Sequence, residues 1–191
     1  MKIQNKPPVI IHLNGMPGVG KLTVAGILAK RIGARLVDNH LLIDPVVAIC
    51  DRGSSDYQKL LKKMVNVVLQ HIRNCSEQVF IFTNALSAEY KEDRARLDQI
   101  RLFAENKNIP FIQILLRSDL ETNKQRISSE ARSLKGKLTN PEELEKLKQY
   151  TIYHPQTEYA LEIDTTTLSA DETAAKIQEY FSRLDFHQPQ L

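Results

Sequence analysis

Nine consecutive residues offer the clearest chemistry in this chain. Gly15-Met16-Pro17-Gly18-Val19-Gly20-Lys21-Leu22-Thr23 has the spacing G-x-x-x-x-G-K. Glycines at 15, 18 and 20 can take positive φ and turn backbone N–H groups inward around an anion. A helix opening near Gly20 would add unpaired N–H donors and the positive end of its dipole. Lys21 supplies a full charge. Together these groups can cradle a polyphosphate, with the lysine between its β- and γ-phosphates. The bland alternative is a glycine-rich strand-to-helix turn that binds nothing, but such a turn needs neither three glycines nor the lysine. One position departs from the usual pattern. The residue after the lysine is ordinarily Ser or Thr, whose hydroxyl reaches magnesium; here it is Leu22, which has no ligating atom. Thr23 comes one residue later, about 100° further round the helix, and is placed for an α-phosphate. A bound Mg2+ would then depend on nucleotide oxygens, waters and a carboxylate from elsewhere.

The loop must be held by a strand before it and a helix after it, and the surrounding pattern supplies both. Short β-like runs, Val9–Leu13, Arg35–Val37, Val79–Phe82, Phe111–Leu116 and Leu161–Ile163, alternate with helical spacings. The helices are predicted over Gly20–Ile32 with Gly33 as stop, over Leu41–Ile49, over Tyr57–Ile72 after a Ser55-x-x-Gln58 capping box, over Ser87–Glu105, and after a Ser169-x-x-Glu172 box. Strands that alternate with helices require crossovers and a parallel sheet covered on both faces. The expectation is an α/β domain with five parallel strands. Ligands in such sheets sit at the carboxyl ends of the strands, so chemistry belongs just after Leu13, Val37, Phe82, Leu116 and Ile163. The stretch 119–153 differs: it is polar, helical in two pieces, broken at Gly136 and restarted by Asn140-Pro141. It reads as an insertion at about 119–153 in a single domain spanning 1–191, and as a candidate lid.

Several classes drop out. There is no guanine-reading N-K-x-D, since Asn123-Lys124 is followed by Gln125-Arg126, and no D-x-x-G after the third strand, where Thr83-Asn84-Ala85 stands. Val79–Phe82 ends without the acid of a motor-type ATPase; an acid, Asp38, follows the second strand instead. Lys plus Arg is 26 against 23 Asp plus Glu, a net charge of +3. That balance suits an anionic ligand but is too weak to argue for nucleic acid. Aromatics are 6% with no Trp, which also argues against a base-stacking surface. No apolar run approaches the ~18 residues of a membrane span, and with no targeting segment a cytoplasmic location is expected. Cys50 and Cys75 lack metal or redox spacing and read as reduced, buried thiols. His12 reads as a strand histidine.

The loop, the Asp38 that follows strand two, the arginine-bearing lid and the Asp164-Thr165-Thr166-Thr167 turn after the last strand resemble the small P-loop kinases, in particular the shikimate kinase, nucleoside monophosphate kinase and chloramphenicol phosphotransferase group. The resemblance implies the three-layer P-loop NTPase fold and transfer of a γ-phosphate from ATP, with magnesium, to a small-molecule hydroxyl or phosphate acceptor. It places Gly15–Thr23, that is Gly15, Met16, Pro17, Gly18, Val19, Gly20, Lys21, Leu22 and Thr23, on the triphosphate. Asp38 falls where a carboxylate serves as base or as a water-mediated metal ligand. His40, Thr83 and Asn84 fall beside the acceptor. Arg126 matches an arginine that stacks on adenine, Arg132 one that reaches the transferring phosphate, and Thr165 a turn that meets the base. A helix-capping turn at Asp38–His40 and a solvated charged face for the lid remain open alternatives. So do Arg94 and Arg101 as either anion clasps or solvent-facing residues. A nucleotide-binding regulator without an acceptor, favoured by Leu22, is the other class of function. The acceptor itself and the oligomeric state are not legible.

Overall fold

A computed structural model describes residues 7–127, 140–147, 151–154 and 157–186. The elements run β1 (Val9–Gly15), α1 (Lys21–Ile32), β2 (Arg35–Asp38), α2 (Asn39–Val47), α3 (Ser55–Ile72), β3 (Val79–Thr83), α4 (Lys91–Asn106), β4 (Phe111–Arg117), α5 (Leu120–Ile127), α6 (Pro141–Leu147), β5 (Tyr159–Asp164) and α7 (Ala170–Arg183). The five strands form one sheet in the order β2-β3-β1-β4-β5. Every pairing is parallel.

The alternation of side chains along β1 divides the core. Ile10 packs with Phe80, Phe82 and Phe111 against α2, α3 and α4. Ile11 and Leu13 pack with Ile81, Ile112, Ile114 and Leu116 against α1 and α7. This is the two-sided cover that parallel strands demand, because the crossover helices lie on both faces. The phase of β1 also puts His12 and Asn14 on the α2–α4 side, both buried. β1 lies between β3 and β4, so its carboxyl end opens at the centre of the sheet.

The local signals fix most boundaries, with four corrections. Gly33 ends α1 in the left-handed conformation, and Ser169 and Glu172 cap α7 reciprocally. Asn140 caps α6, its side chain accepting from the Glu142 N–H. The predicted box at Ser55 is displaced by one residue: Ser54 is the cap and accepts from Tyr57 N–H, so the hydroxyl one position earlier takes the orphan donor. Helix α4 starts at Lys91 rather than Ser87. Ser87 instead pairs in an isolated bridge with Ile152, and its N–H goes to the Asp93 carboxylate. The second helix begins at Asn39 rather than Leu41, directly from the strand, with Asp38 as its N-cap residue. The cysteines are not buried: Cys75 is exposed and Cys50 half-buried. Among the described residues no helix is long and apolar enough to cross a membrane.

Candidate active site

The loop between β1 and α1 has the backbone that the glycines allow. φ is +152° at Gly15, +98° at Gly18 and +93° at Gly20. Two of these positions also lack room for a side chain. A Cβ on Gly15 would stand 2.4 Å from the Leu116 carbonyl oxygen, and one on Gly18 would stand 3.0 Å from Asn123 O and 3.0 Å from Ile127 Cγ2. The loop is therefore pressed against β4 on one side and against α5 on the other. Lys21 curls back over it and donates to Gly15 O at 2.7 Å and Met16 O at 2.9 Å. That position holds the ammonium over the concave side of the loop, where a polyphosphate would lie. Leu22 is half-buried and Thr23 exposed.

The second half of the site lies at the ends of β2 and β3. Thr83 Oγ1 donates to Asp38 Oδ1 at 2.6 Å, which fixes that carboxylate oxygen. Asn84 Nδ2 donates to Asn39 Oδ1 at 2.8 Å. Asn84 Oδ1 in turn faces His12 Nε2 at 3.0 Å. Asn14 closes the layer below, donating to Leu86 O and Tyr153 O and accepting from Leu86 N–H. Burial holds the His12 imidazole neutral, with its pKa lowered to about 4; the nearby Lys21 charge pushes the same way.

Beside this layer is a hollow lined by Val37, Asn39, Leu42, Leu61, Val65, Phe82, Asn84, Arg96 and Ile100, of about 260 Å³ with its open mouth included. Its water-accessible space is only about 10 Å³ in all, room for about one water. Asp38 and His40 stand next to the hollow without lining it. His40 is turned to Asp44 at 3.0 Å.

A third group ties α5 to the turn after β5. Arg126 donates to Thr165 Oγ1 at 3.0 Å and to Thr165 O at 2.7 Å. Thr165 Oγ1 donates to Arg117 O at 2.9 Å, so the threonine side chain clamps the ends of β4 and β5 together. Arg117 itself pairs with Glu162 and bonds His154. Arg132, with Lys135 and Lys137, lies outside the described residues.

The structure thus brings Gly15–Thr23, Asp38, Thr83, Asn84, Arg126 and Thr165 to the carboxyl edge of one sheet. Arg94 is exposed and Arg101 is paired with Asp98 and Glu105. Arg96 lines the hollow instead. The sequence carried a signal for it: Arg96 is four residues before the buried Ile100 and so shares its face. His12 had no such signal, because its partner Asn84 is 72 residues away.

The donor set bears on the groups that such a loop implies. A polyphosphate fits, because the cradle is one that side chains at 15 and 18 would fill. Magnesium fits less fully. Leu22 offers no oxygen, and among the described residues no cluster of three or more His, Cys, Asp or Glu side chains could hold a metal. Asp38, at the end of β2, is the carboxylate that the family resemblance nominates.

A family model described as an AAA domain matches residues 11–149, and the chain belongs to that family. No curated protein matches the chain. Among solved structures it is similar to the APS kinase of Mycobacterium tuberculosis in complex with AMPPNP and APS, at 17% identity and a TM-score of 0.62, covering 93% of this chain and 99% of that one. It is similar to a gluconokinase from Sinorhizobium meliloti 1021, at 15% identity and a TM-score of 0.63, covering 93% and 94%. It is also similar to the tunicamycin resistance protein of Deinococcus radiodurans, at 20% identity and a TM-score of 0.60, covering 95% and 99%. The fold is that of the small P-loop kinases within the P-loop NTPases.

Proposed function

We propose that the protein is an ATP-dependent phosphotransferase that moves the γ-phosphate to a hydroxyl or phosphate group of a small molecule in the cytoplasm. The observation that carries this reading is the pairing of two sites on one sheet edge. A glycine loop under Lys21 suits a triphosphate, and a mostly apolar hollow with Asn39, Asn84 and Arg96 lies beside Asp38, on the far side of β3. Lys21 and the loop N–H groups hold the polyphosphate. Asp38, its carboxylate fixed by Thr83, orients the acceptor hydroxyl and takes its proton from one oxygen. Arg126 lies against the nucleotide base beside Thr165, and His40 is near the acceptor. The insertion 119–153 is the lid, and its Arg132 neutralises charge as the phosphoryl group transfers. A magnesium ion, when bound, neutralises charge on the phosphate oxygens; Asp38 is the carboxylate of this chain that would reach it.

The test is release of ADP from Mg-ATP in the presence of nucleosides, nucleoside monophosphates, polyols and sugar acids. Acceptor-stimulated release that is lost in Lys21→Ala and Asp38→Asn supports the reading. Unchanged turnover in Asp38→Asn removes Asp38 from the chemistry. Leu22 favours a second reading, a nucleotide-binding regulator; tight ATP binding with no stimulation by any acceptor would select it.

A further inference from the structure

The ladder between β1 and β3 ends at Leu13 and Thr83, with a last bond from Asn84 N–H to Leu13 O. The next side chain on β1, Asn14, carries the pairing further. It is buried, at 4% exposure. Its Oδ1 accepts from Leu86 N–H at 2.8 Å, and its Nδ2 donates to Leu86 O at 3.2 Å and to Tyr153 O at 3.3 Å. Turned over, the amide would set its oxygen against two carbonyls and its NH2 against an N–H, so main-chain partners alone fix its orientation. An aspartate here would keep the acceptor and lose both donors; a leucine would lose all three groups.

Tyr153 belongs to residues 151–154, which precede β5 and cross the carboxyl edge of the sheet over three neighbouring strands, β3, β1 and β4. Beyond β3, Thr151 N–H donates to Glu89 Oε1 at 2.8 Å and Thr151 O accepts from Ala88 N–H at 2.8 Å. Tyr153 N–H donates to Leu86 O at 3.1 Å. At β1, Tyr153 O meets Asn14. At β4, His154 Nε2 accepts from Arg117 at 2.8 Å. Asn14 is also the residue before Gly15, which is pressed against Leu116 O. The first residue of the phosphate loop is therefore held by β4 on one side and, through Asn14, by residues 86 and 153 on the other.

We propose that Asn14 is a positioning residue that links occupancy of the phosphate loop to the seating of residues 151–154 across the carboxyl edge. This rests on the nucleotide half of the phosphotransferase reading and not on transfer itself. Releasing residues 151–154 breaks the bond from Asn14 to Tyr153 O and loosens the anchor of Gly15. The loop then no longer holds its N–H groups ready for a polyphosphate. A nucleotide that prefers the held loop must favour the seated segment by the same factor, because linkage is reciprocal.

The experiment uses the full chain with and without Mg-AMPPNP. Calorimetry gives its affinity, and amide hydrogen exchange by NMR follows single residues under conditions of local opening. Saturating AMPPNP should slow exchange at Tyr153 about tenfold and leave Ile109, at the far end of α4, unchanged. Asn14→Leu should speed exchange at Leu86, Ala88 and Tyr153, remove the response of Tyr153 to AMPPNP, and weaken AMPPNP by the same factor of about ten. A merely structural role for Asn14 would lower the urea midpoint while Tyr153 still responds and affinity is kept, and that result overturns the proposal. Should Asn14→Leu not fold, the exposed Glu89 gives a second handle. Glu89→Met removes the acceptor of Thr151 N–H; it should speed exchange at Thr151 and Tyr153 and weaken AMPPNP. Glu89→Gln keeps an acceptor and should match the unaltered protein. Normal AMPPNP affinity with Tyr153 released, in either variant, overturns the proposal. ADP release from Mg-ATP separates the two readings. Linked exchange without acceptor-stimulated release retires the phosphotransferase reading and keeps this one. Stimulated release with Tyr153 unmoved by AMPPNP does the reverse, and AMPPNP that fails to bind overturns both.

Discussion

Lowering the pH should destabilise this protein through His12. The folded imidazole has its pKa lowered from 6.5 to about 4 by burial. Unfolded chains bind the proton near pH 6.5, so between these values the unfolded state holds more protons and stability falls as pH falls. The loss begins just above pH 6.5 and is complete below about 4. The full displacement of about 2.5 pH units corresponds to about 3 kcal/mol, and about 2 kcal/mol of it is gone by pH 5. That is a large part of the roughly 5–15 kcal/mol of a natural domain. Urea denaturation at pH 7, 6, 5 and 4.5 measures it. Carboxylates with lowered pKa, such as Glu89, held down to about 2 chiefly by the Thr151 N–H, add acid sensitivity of their own. The decisive quantity is therefore the difference between the unaltered protein and His12→Gln, which lacks the titrating ring. The difference should shrink by about 2 kcal/mol between pH 7 and 5. A constant difference across that range would refute the claim that His12 is buried as a neutral base.

Three further outcomes follow from the geometry. Gly15→Ala places a Cβ 2.4 Å from the Leu116 carbonyl at a φ of +152°. It should lose about 2–5 kcal/mol in urea denaturation together with nucleotide binding, from backbone strain and overpacking. Gly20→Ala, with open space and Val24 Cγ2 at 3.9 Å, meets strain alone and should lose about 1–2 kcal/mol; equal losses would show that the contact with β4 does not constrain the loop. Thr83→Val removes the hydroxyl that fixes Asp38 Oδ1 and should lower kcat about tenfold with nucleotide affinity unchanged; a normal kcat would count against Asp38 being oriented by Thr83. Ser169→Ala breaks the reciprocal cap of α7 and should destabilise by about 1 kcal/mol, read as a Tm lower by about 2–4 °C, with no change in ATP binding.

Much of this protein was written in local sequence. The glycines at 15, 18 and 20 announced their positive φ, because no other residue takes that backbone without strain, and Gly33 and Ser169 set helix ends through contacts within a few residues. The alternation of short strands with helices fixed a parallel sheet, since crossovers leave few other arrangements. The boundaries that failed were decided at Ser54 by which of two neighbouring hydroxyls took one N–H, and at Ser87 by a bridge to the distant Ile152 with the Ser87 N–H on Asp93. Tertiary structure alone decided the sheet order, and with it everything that couples strands. Only when β3 lies between β2 and β1 do Asn39, Asn84 and His12 meet, from positions 45 and 72 residues apart. Only when α5 folds onto the loop does Gly18 lose its room for a side chain. Local pattern reports on turns and on which face is apolar; the direction of a hydrogen-bond chain and the lining of a hollow depend on partners that sequence spacing does not bring together.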